Sequence, residues 1–338
     1  MRLESVRALK QEVAVELVGP AVASAFALGR AGVAAGTART RTGPERAVAL
    51  GIAAGARKGQ YRLAVRIQRH ELRPETDGEL HDRLRRLCRG GLDVRYVGRL
   101  FKQAGPEAPW QQRRHRPLRI GTSVGHVAVT AGTLGSFALH RATGETVILS
   151  ANHVLANENR AKTGQAILQP GRFDGGRRAR DRVGALLAFV PLQRQANGVD
   201  AAVAAIAAGI EAEVRTIEGL GPIAGIAEEP LEPGDMVAKL GRTTGLTRGR
   251  VTAVELDEVV ITYETGNLSF DHQIEIEGEA GAPFSRGGDS GALVVDSRLR
   301  AAALLFAGGD QGGSQGQGLT YASPIGPVYE ALDLALAT

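Results

Sequence analysis

One glycine-rich turn presents a serine in a setting that suits nucleophilic chemistry. Residues 285–295 read SRGGDSGALVV, so Ser290 follows a glycine pair and an aspartate and precedes an apolar strand. A serine hydroxyl is a weak nucleophile at neutral pH, and it needs a neighbouring base and donors for the developing oxyanion. Glycines at 287, 288 and 291 let the backbone bend sharply and direct N–H groups at such an anion. A hairpin turn without a catalytic role can have the same composition, so the motif alone does not decide.

A base and a carboxylate for this serine can be selected by their surroundings. Of the seven histidines, His153 stands at the end of a hydrophobic strand, in a corner of small residues. Asp200 begins an otherwise apolar strand, where an unpaired charge would be costly. Asp174 and Asp181 lie in a loop rich in glycine and arginine, and surface charge explains them. We therefore predict His153 as the base, Asp200 as the carboxylate that orients it, and Ser290 as the nucleophile.

Charge and cysteine content narrow the class of protein and its compartment. The net charge is +5, but the charges are scattered and aromatic residues make up only 4%. We attribute this charge to solubility and expect no nucleic-acid partner. The single cysteine, Cys88, cannot form an intrachain disulfide, which favours a reducing compartment. We predict a cytoplasmic protein, with secretion as the alternative, and expect no membrane partner because no stretch approaches the ~20 apolar residues of a membrane span.

The hydrophobic pattern divides the chain into two parts. Residues 1–110 predict an N-terminal helix and a small α+β domain, for docking, oligomerisation or control. Its predicted strands cover 47–52, 61–68 and 93–99, and its second helix covers 79–89. Residues 102–118 contain Pro106, Pro109 and Pro117 and a basic run at 113–116, which predicts a linker, placed at 111–119.

Residues 120–338 carry many short alternating or apolar segments separated by glycine, which predicts an all-β barrel or sandwich. Predicted strands cover 127–130, 135–139, 146–150, 200–206, 236–240, 251–254, 259–263, 292–295 and 302–306. A C-terminal helix is predicted over 327–337.

The order His153, Asp200, Ser290 and three short motifs together resemble the trypsin-like, chymotrypsin-fold serine peptidases over residues 120–335. The motifs are LSANHVL at 149–155, VDAA at 199–202 and GDSG at 288–291. The resemblance implies a mainly β fold, in which a double β-barrel protease domain follows the small α+β domain along the chain. It also implies that His153, Asp200 and Ser290 lie in the cleft between the two barrels. It implies an oxyanion hole formed by the N–H groups of Gly288 and Ser290, a protein or peptide substrate, and neither a metal nor an organic cofactor.

A narrower resemblance is to bacterial relatives of the plant narrow-leaf trypsin-like proteases, which also lack disulfides and have a small N-terminal extension. The motifs are TAGTLG at 130–135, LQPG at 168–171, DGG at 174–176 and GRTTGLT at 241–247.

Two departures from the wider family bear on specificity and activation. The residue six positions before Ser290 is Phe284, so a preference for Lys or Arg does not follow. We predict a substrate pocket at Phe284, Ala307 and Gly309. Many relatives are activated by a cut that frees an apolar N-terminus to pair with the acid before the serine. The Arg119–Ile120 bond and Asp289 could serve in this way, but an arginine at the end of a linker is the preferred interpretation.

Two classes of function follow. The first is a regulated serine endopeptidase that acts on a specific intracellular protein, with a homo-oligomer or a regulatory protein bound through residues 1–110. The second is a catalytically silent scaffold or binding module with a protease fold. An α/β-hydrolase esterase would carry its triad in the order Ser, Asp, His, so that class is excluded.

Overall fold

The structure is a computed structural model that describes residues 1–14, 48–68, 82, 84–88, 91–97 and 110–337. It is built mainly of β-strands. The strands are β1 (Val48–Ala54), β2 (Tyr61–Ile67), β3 (Leu92–Tyr96), β4 (Leu118–Arg119), β5 (Ser123–His126), β6 (Gly132–Thr133), β7 (Ser136–His140), β8 (Glu145–Ser150), β9 (Ala166–Leu168), β10 (Arg182–Phe189), β11 (Ala202–Ile206), β12 (Ala212–Glu213), β13 (Thr216–Ile217), β14 (Gly221–Pro222), β15 (Gly225–Ile226), β16 (Met236–Gly241), β17 (Gly245–Asp257), β18 (Val259–Tyr263), β19 (Gly266–Phe270), β20 (Gln273–Gly278), β21 (Leu293–Asp296), β22 (Arg300–Gly308), β23 (Thr320–Pro324) and β24 (Leu334–Leu336).

Among the residues that the structure describes, the helices are few and short. They are α1 (Leu3–Val13), α2 (Asn152–Leu155), α3 (Arg178–Asp181) and α4 (Ile325–Ala331), with 3₁₀ turns at Trp110–Gln112 and Arg172–Asp174. No helix within the described ranges has both the length and the apolar character needed to cross a membrane.

The first sheet has eight strands in the order β24-β7-β8-β11-β10-β9-β5-β6. It curls around a core of small and branched side chains, because the chain has few aromatic residues to fill it. Strands β8 and β11 are antiparallel neighbours, with Leu149 opposite Val203 in the centre of that core.

The second sheet contains a closed six-stranded barrel in the order β16-β21-β22-β23-β20-β17, which the pairing of β16 with β17 completes. Closure leaves no free edge in this part of the sheet. Together with the half-barrel of the first sheet, this confirms the predicted mainly β, double-barrel architecture.

The N-terminal strands extend this second sheet in the order β17-β1-β2-β3. Strand β17 is 13 residues long, so its first half pairs with β16 while its second half pairs with β1. Val6 and Leu63 belong to the same apolar cluster as Val251 and Ile276 of the barrel. The N-terminal part therefore shares a sheet and a core with the barrel, and its ability to fold alone stays a prediction.

The predicted linker, 111–119, is packed against the protein. Gln111 and Gln112 are buried, and β4 pairs with β12. Arg116 Nη1 donates to Gln169 Oε1 at 2.7 Å. This segment is therefore a fixed connection, because β4 is paired and Arg116 and Gln112 are hydrogen-bonded to Gln169 and to the Arg242 carbonyl.

Two predicted elements differ from the structure. Residues 127–130 form a turn after β5, closed by a hydrogen bond from Val129 N to His126 O, and the strand prediction there was wrong. The C-terminal helix ends at Ala331, because Asp333 adopts a left-handed backbone (φ 50°) and the chain continues as β24 along β7. The other predicted strands overlap strands of the structure. The helix predicted over 79–89 lies partly outside the described residues, and 84–88 are helical.

Candidate active site

His153 and Asp200 meet at one end of the first sheet. His153 lies in α2, which begins directly after β8, and Asp200 directly precedes the Ala201–Ala202 entry into β11. Because β8 and β11 are paired neighbours, with Ser150 opposite Ala202, both residues come to the same edge. His153 Nδ1 lies 2.6 Å from Asp200 Oδ2, and the His153 backbone N–H donates to Asp200 Oδ1 at 3.2 Å. The carboxylate therefore fixes both the imidazole and the backbone that carries it.

Asp200 is completely buried and has a third donor. Tyr263 OH donates to Asp200 Oδ2 at 2.5 Å. Burial by itself would raise the pKa of Asp200, but the charge of His153 and the hydrogen bonds from His153 and Tyr263 outweigh it and lower the pKa below its ordinary value. Asp200 is therefore a stable carboxylate at neutral pH, as the orienting role requires.

Ser290 reaches this corner through a close backbone approach. Gly291 has φ of 90°, and a Cβ there would overlap Ser150 Oγ, so only glycine fits. Thr133 N donates to Ser290 O at 2.8 Å, which ties the serine to the first sheet. Within residues 110–337, Ser290 Oγ donates to the Phe306 carbonyl oxygen at 3.3 Å and makes no hydrogen bond to the imidazole.

The turn before Ser290 leaves two N–H groups available. Gly288 adopts φ of 95°, and its carbonyl oxygen accepts from Thr133 Oγ1 at 2.8 Å. In the described part of the chain, the N–H groups of Gly288 and Ser290 donate to no protein acceptor. Such paired donors are the arrangement that stabilises an oxyanion.

The predicted pocket residues are all buried. The Phe284 side chain is 1% exposed and packs in the barrel core, where its carbonyl oxygen accepts from Thr247 Oγ1 at 2.7 Å. Ala307 is 2% exposed, and Gly309 N donates to Leu319 O at 2.8 Å. The contact of these residues with a substrate stays a prediction.

Asp174 and Asp181 are not the surface charges that the sequence suggested. Both are buried. Asp174 accepts two hydrogen bonds from Arg242, one of them from Nε at 2.7 Å. Asp181 Oδ2 accepts from Arg177 N at 2.9 Å. The interpretation was wrong because both carboxylates are enclosed and hydrogen-bonded, Asp174 by the buried side chain of Arg242 and Asp181 by a backbone N–H group and the exposed Arg180.

Sequence-based reasoning also missed Tyr263. It ends a predicted strand, and its residue type and spacing give no sign that it faces Asp200 from another part of the chain. No group of three or more His, Cys, Asp or Glu side chains that could hold a metal ion occurs among the residues described.

Comparisons with known proteins find likeness at the level of overall structure. No protein-family model and no curated protein matches the sequence. Chymotrypsin from Cellulomonas bogoriensis is 20% identical at a TM-score of 0.44, over 65% of this chain and 98% of that one. Protease A from Thermobifida fusca is 18% identical at a TM-score of 0.45, over 65% of this chain and 98% of that one. A serine endoprotease from Yersinia pestis is 17% identical at a TM-score of 0.38, over 68% of this chain and 67% of that one. Sequence identities and TM-scores this low do not assign a function to this chain. The narrower resemblance to bacterial relatives of the plant narrow-leaf trypsin-like proteases stays a prediction.

Proposed function

We propose that the chain is a serine endopeptidase in which Ser290 is the nucleophile, His153 the general base and Asp200 the residue that orients it. The observation that carries the proposal is the buried bond of 2.6 Å between His153 Nδ1 and Asp200 Oδ2 beside the Ser290 turn. This bond leaves Nε2 of the imidazole as the atom that can accept a proton. The two N–H groups of Gly288 and Ser290 support the proposal because they suit an oxyanion.

In the proposed mechanism, Ser290 Oγ turns from the Phe306 carbonyl to His153 Nε2 and attacks the scissile carbonyl carbon as its proton passes to Nε2. The carbonyl π pair moves to oxygen, and the oxyanion accepts hydrogen bonds from Gly288 and Ser290 N–H. The C–N bond then breaks as the imidazolium gives its proton to the leaving amine, and an acyl-enzyme remains. Water repeats the sequence with His153 as its base, which releases the acid and restores Ser290.

We infer that the substrate is a protein or peptide held along Ala307 and Gly309, with the apolar surroundings of Phe284 behind them. The mechanism uses neither a metal nor an organic cofactor. The proposed setting is a reducing, intracellular one, on account of the single cysteine, and the proposed activity is a restricted cut in a specific protein.

We also infer that the N-terminal part controls the site. Val97, which follows β3, shares an apolar cluster with Phe306 and Ala307. Gln68 Oε1 accepts from Val260 N at 2.9 Å, at the base of the β18–β19 hairpin that carries Tyr263. These contacts join the N-terminal strands both to the strand beside Ser290 and to the hairpin beside Asp200. A regulatory protein or a second copy bound to this part could act through them.

Labelling with a fluorophosphonate probe tests the proposed activity directly, since the probe reacts only with an activated serine. We expect the wild type to be labelled, and Ser290→Ala and His153→Ala to lose the label. Matched controls are Ser297→Ala and His272→Ala, which change exposed residues of the same types and should keep it. Loss of labelling in the controls as well, or its retention in Ser290→Ala, would contradict the assignment.

The second candidate is a catalytically silent scaffold. The observation that favours it is the hydrogen bond of Ser290 Oγ to the Phe306 carbonyl at 3.3 Å in place of one to His153. A folded wild type that neither takes the label nor cleaves a mixed peptide library would support the scaffold over the enzyme.

A further inference from the structure

A single carboxylate oxygen joins His153 to an element of the other sheet. Asp200 Oδ2 accepts from His153 Nδ1 at 2.6 Å and from Tyr263 OH at 2.5 Å. Tyr263 is the last residue of β18, in the hairpin that β18 and β19 form between barrel strands β17 and β20. The Tyr263 side chain is 4% exposed, so water cannot readily replace its hydroxyl.

The ring of Tyr263 also connects the two halves of the site. Its centroid lies 5.8 Å from that of His153, edge to face at 74°. On its other side it stacks on Phe270 at 6.0 Å, and Phe270 packs on Phe306 at 4.7 Å. The carbonyl oxygen of Phe306 is the acceptor of Ser290 Oγ. A row of three aromatic rings therefore runs from the imidazole to β22, the strand whose Phe306 carbonyl accepts from Ser290 Oγ.

The tip of the hairpin is fastened to the loop that follows His153. Glu158 has a left-handed backbone (φ 56°) and is 3% exposed. Its carboxylate accepts from the backbone N–H groups of Glu264 at 3.2 Å and Thr265 at 3.1 Å. Arg160 Nη2 lies 2.7 Å from Glu264 Oε2 on the outside of the same contact. These bonds hold Tyr263 at a fixed distance from Asp200.

We propose that Tyr263 is a positioning residue that holds the Asp200 carboxylate in the one orientation that aligns His153 with Ser290. The proposal rests on the proposed function. The other two donors to Asp200, the imidazole and the backbone N–H, both belong to His153 and hold the carboxylate only relative to that residue, whereas the Tyr263 hydroxyl is a donor from a separate element of the chain. Burial and the charge of Asp200 hold the pKa of Tyr263 well above its ordinary value, so the phenol remains the donor.

Tyr263→Phe tests the proposal because it removes one oxygen and keeps the row of rings. The matched control is Tyr321→Phe, another buried tyrosine whose hydroxyl donates to a buried carboxylate, Glu275 Oε2 at 3.1 Å. Both variants lose a similar bond, so a general loss of stability affects both alike. The full-length chain is used throughout.

We expect Tyr263→Phe to lower kcat on a peptide substrate by about tenfold or more, which is about 1.4 kcal/mol of transition-state stabilisation, with KM nearly unchanged. The acid limb of its pH profile should move to higher pH. Without the phenol, the charge of Asp200 is less compensated and stabilises the imidazolium of His153 more strongly. The other carboxylate in this corner is that of Glu158, which both variants keep. Tyr321→Phe should change neither kcat nor the profile. Equal losses in both variants, or no loss in Tyr263→Phe, would overturn the proposal.

NMR titration of the His153 imidazole, assigned with His153→Ala, separates the two hypotheses. If the wild type proves inactive but the titration shifts in Tyr263→Phe and not in Tyr321→Phe, the proposed function fails and the positioning role stands. If the wild type is active and neither the titration nor kcat responds to Tyr263→Phe, the positioning role fails and the proposed function stands.

Discussion

Lys239 Nζ lies 3.4 Å from Asp289 Oδ2, and both side chains are completely buried. Asp289 precedes Ser290, so its carboxylate anchors the turn that carries the serine. Asp289 also accepts from Thr243 N at 2.8 Å and from Arg286 N at 2.9 Å. Burial lowers the pKa of Lys239, and the charge of Asp289 opposes that shift. The ammonium that faces Asp289 is thus that of the Lys239 side chain in barrel strand β16, and not that of a newly freed N-terminus.

Lys239→Met tests this pair. The substitution leaves Asp289 as a buried charge without its cation, which should cost about 3–5 kcal/mol of unfolding free energy and lower activity through the Ser290 turn. Urea unfolding and peptide hydrolysis measure the two effects. Lys239→Met/Asp289→Asn removes both charges and should recover part of the stability. A single variant as stable as the wild type would show that the pair contributes little.

Arg119→Gln tests whether a cut after Arg119 is needed for activity. Asp289 already has Lys239 as its partner, and Ile120 is 2% exposed, so a new N-terminus has neither an unpaired acid to reach nor an easy way to leave. We expect this variant, with its chain shown to be intact by mass spectrometry, to take the fluorophosphonate label as the wild type does. Activity that appears only after the Arg119–Ile120 bond is cut, and not in Arg119→Gln, would contradict this expectation.

Gln68→Ala tests the link between the N-terminal strands and the hairpin of Tyr263. Its Oε1 is the acceptor for the buried Val260 N–H, and an unpaired N–H of this kind costs about 1–3 kcal/mol. We expect a lower kcat together with faster proteolysis of the hairpin. Gln60→Ala, an exposed glutamine near the start of β2, is the control and should leave both unchanged. Faster proteolysis with an unchanged kcat would separate the hairpin from catalysis.

A pH dependence of stability follows from the ion pair between Arg66 and Glu275, which joins β2 to the barrel. Arg66 Nε donates to Glu275 Oε2 at 2.7 Å, and neither side chain is exposed. Burial would raise the pKa of Glu275, but the charge and hydrogen bonds of Arg66 outweigh it and lower the pKa below 4.5. Because the folded pKa lies below the unfolded one, this stabilisation is present above about pH 4.5 and is lost as pH falls through the folded value.

Urea midpoints between about pH 7 and pH 3 measure this loss. Glu275→Gln cannot titrate, so we expect its stability to be lower at pH 7 and to fall less steeply in acid than that of the wild type. The remaining slope comes from groups such as Asp93 and Asp200, whose pKa values are also lowered. Equal slopes in both proteins would exclude Glu275 as a contributor.

The sequence predicted features that depend on local pattern. Alternating apolar residues identified most strands, since a strand half-buried in a sheet needs a period of two. The sequence also identified His153, Asp200 and Ser290 as candidates. Each stands at the end or the start of a strand, where a polar side chain has no local explanation. It could not separate a buried, paired aspartate from an exposed one, and so it misjudged Asp174 and Asp181.

Only the tertiary structure decided which distant side chain pairs with each buried carboxylate. Tyr263 on Asp200, Lys239 on Asp289 and Arg66 on Glu275 each join residues far apart in the chain. Such contacts depend on the register and curvature of strands brought together by the two sheets, and neither is encoded in the pattern of a single segment. Residue type and spacing alone thus determined the mainly β class and the three candidate residues. The partner of Asp200, the partner of Asp289 beside Ser290, and the joining of the N-terminal strands to the barrel came from packing between segments.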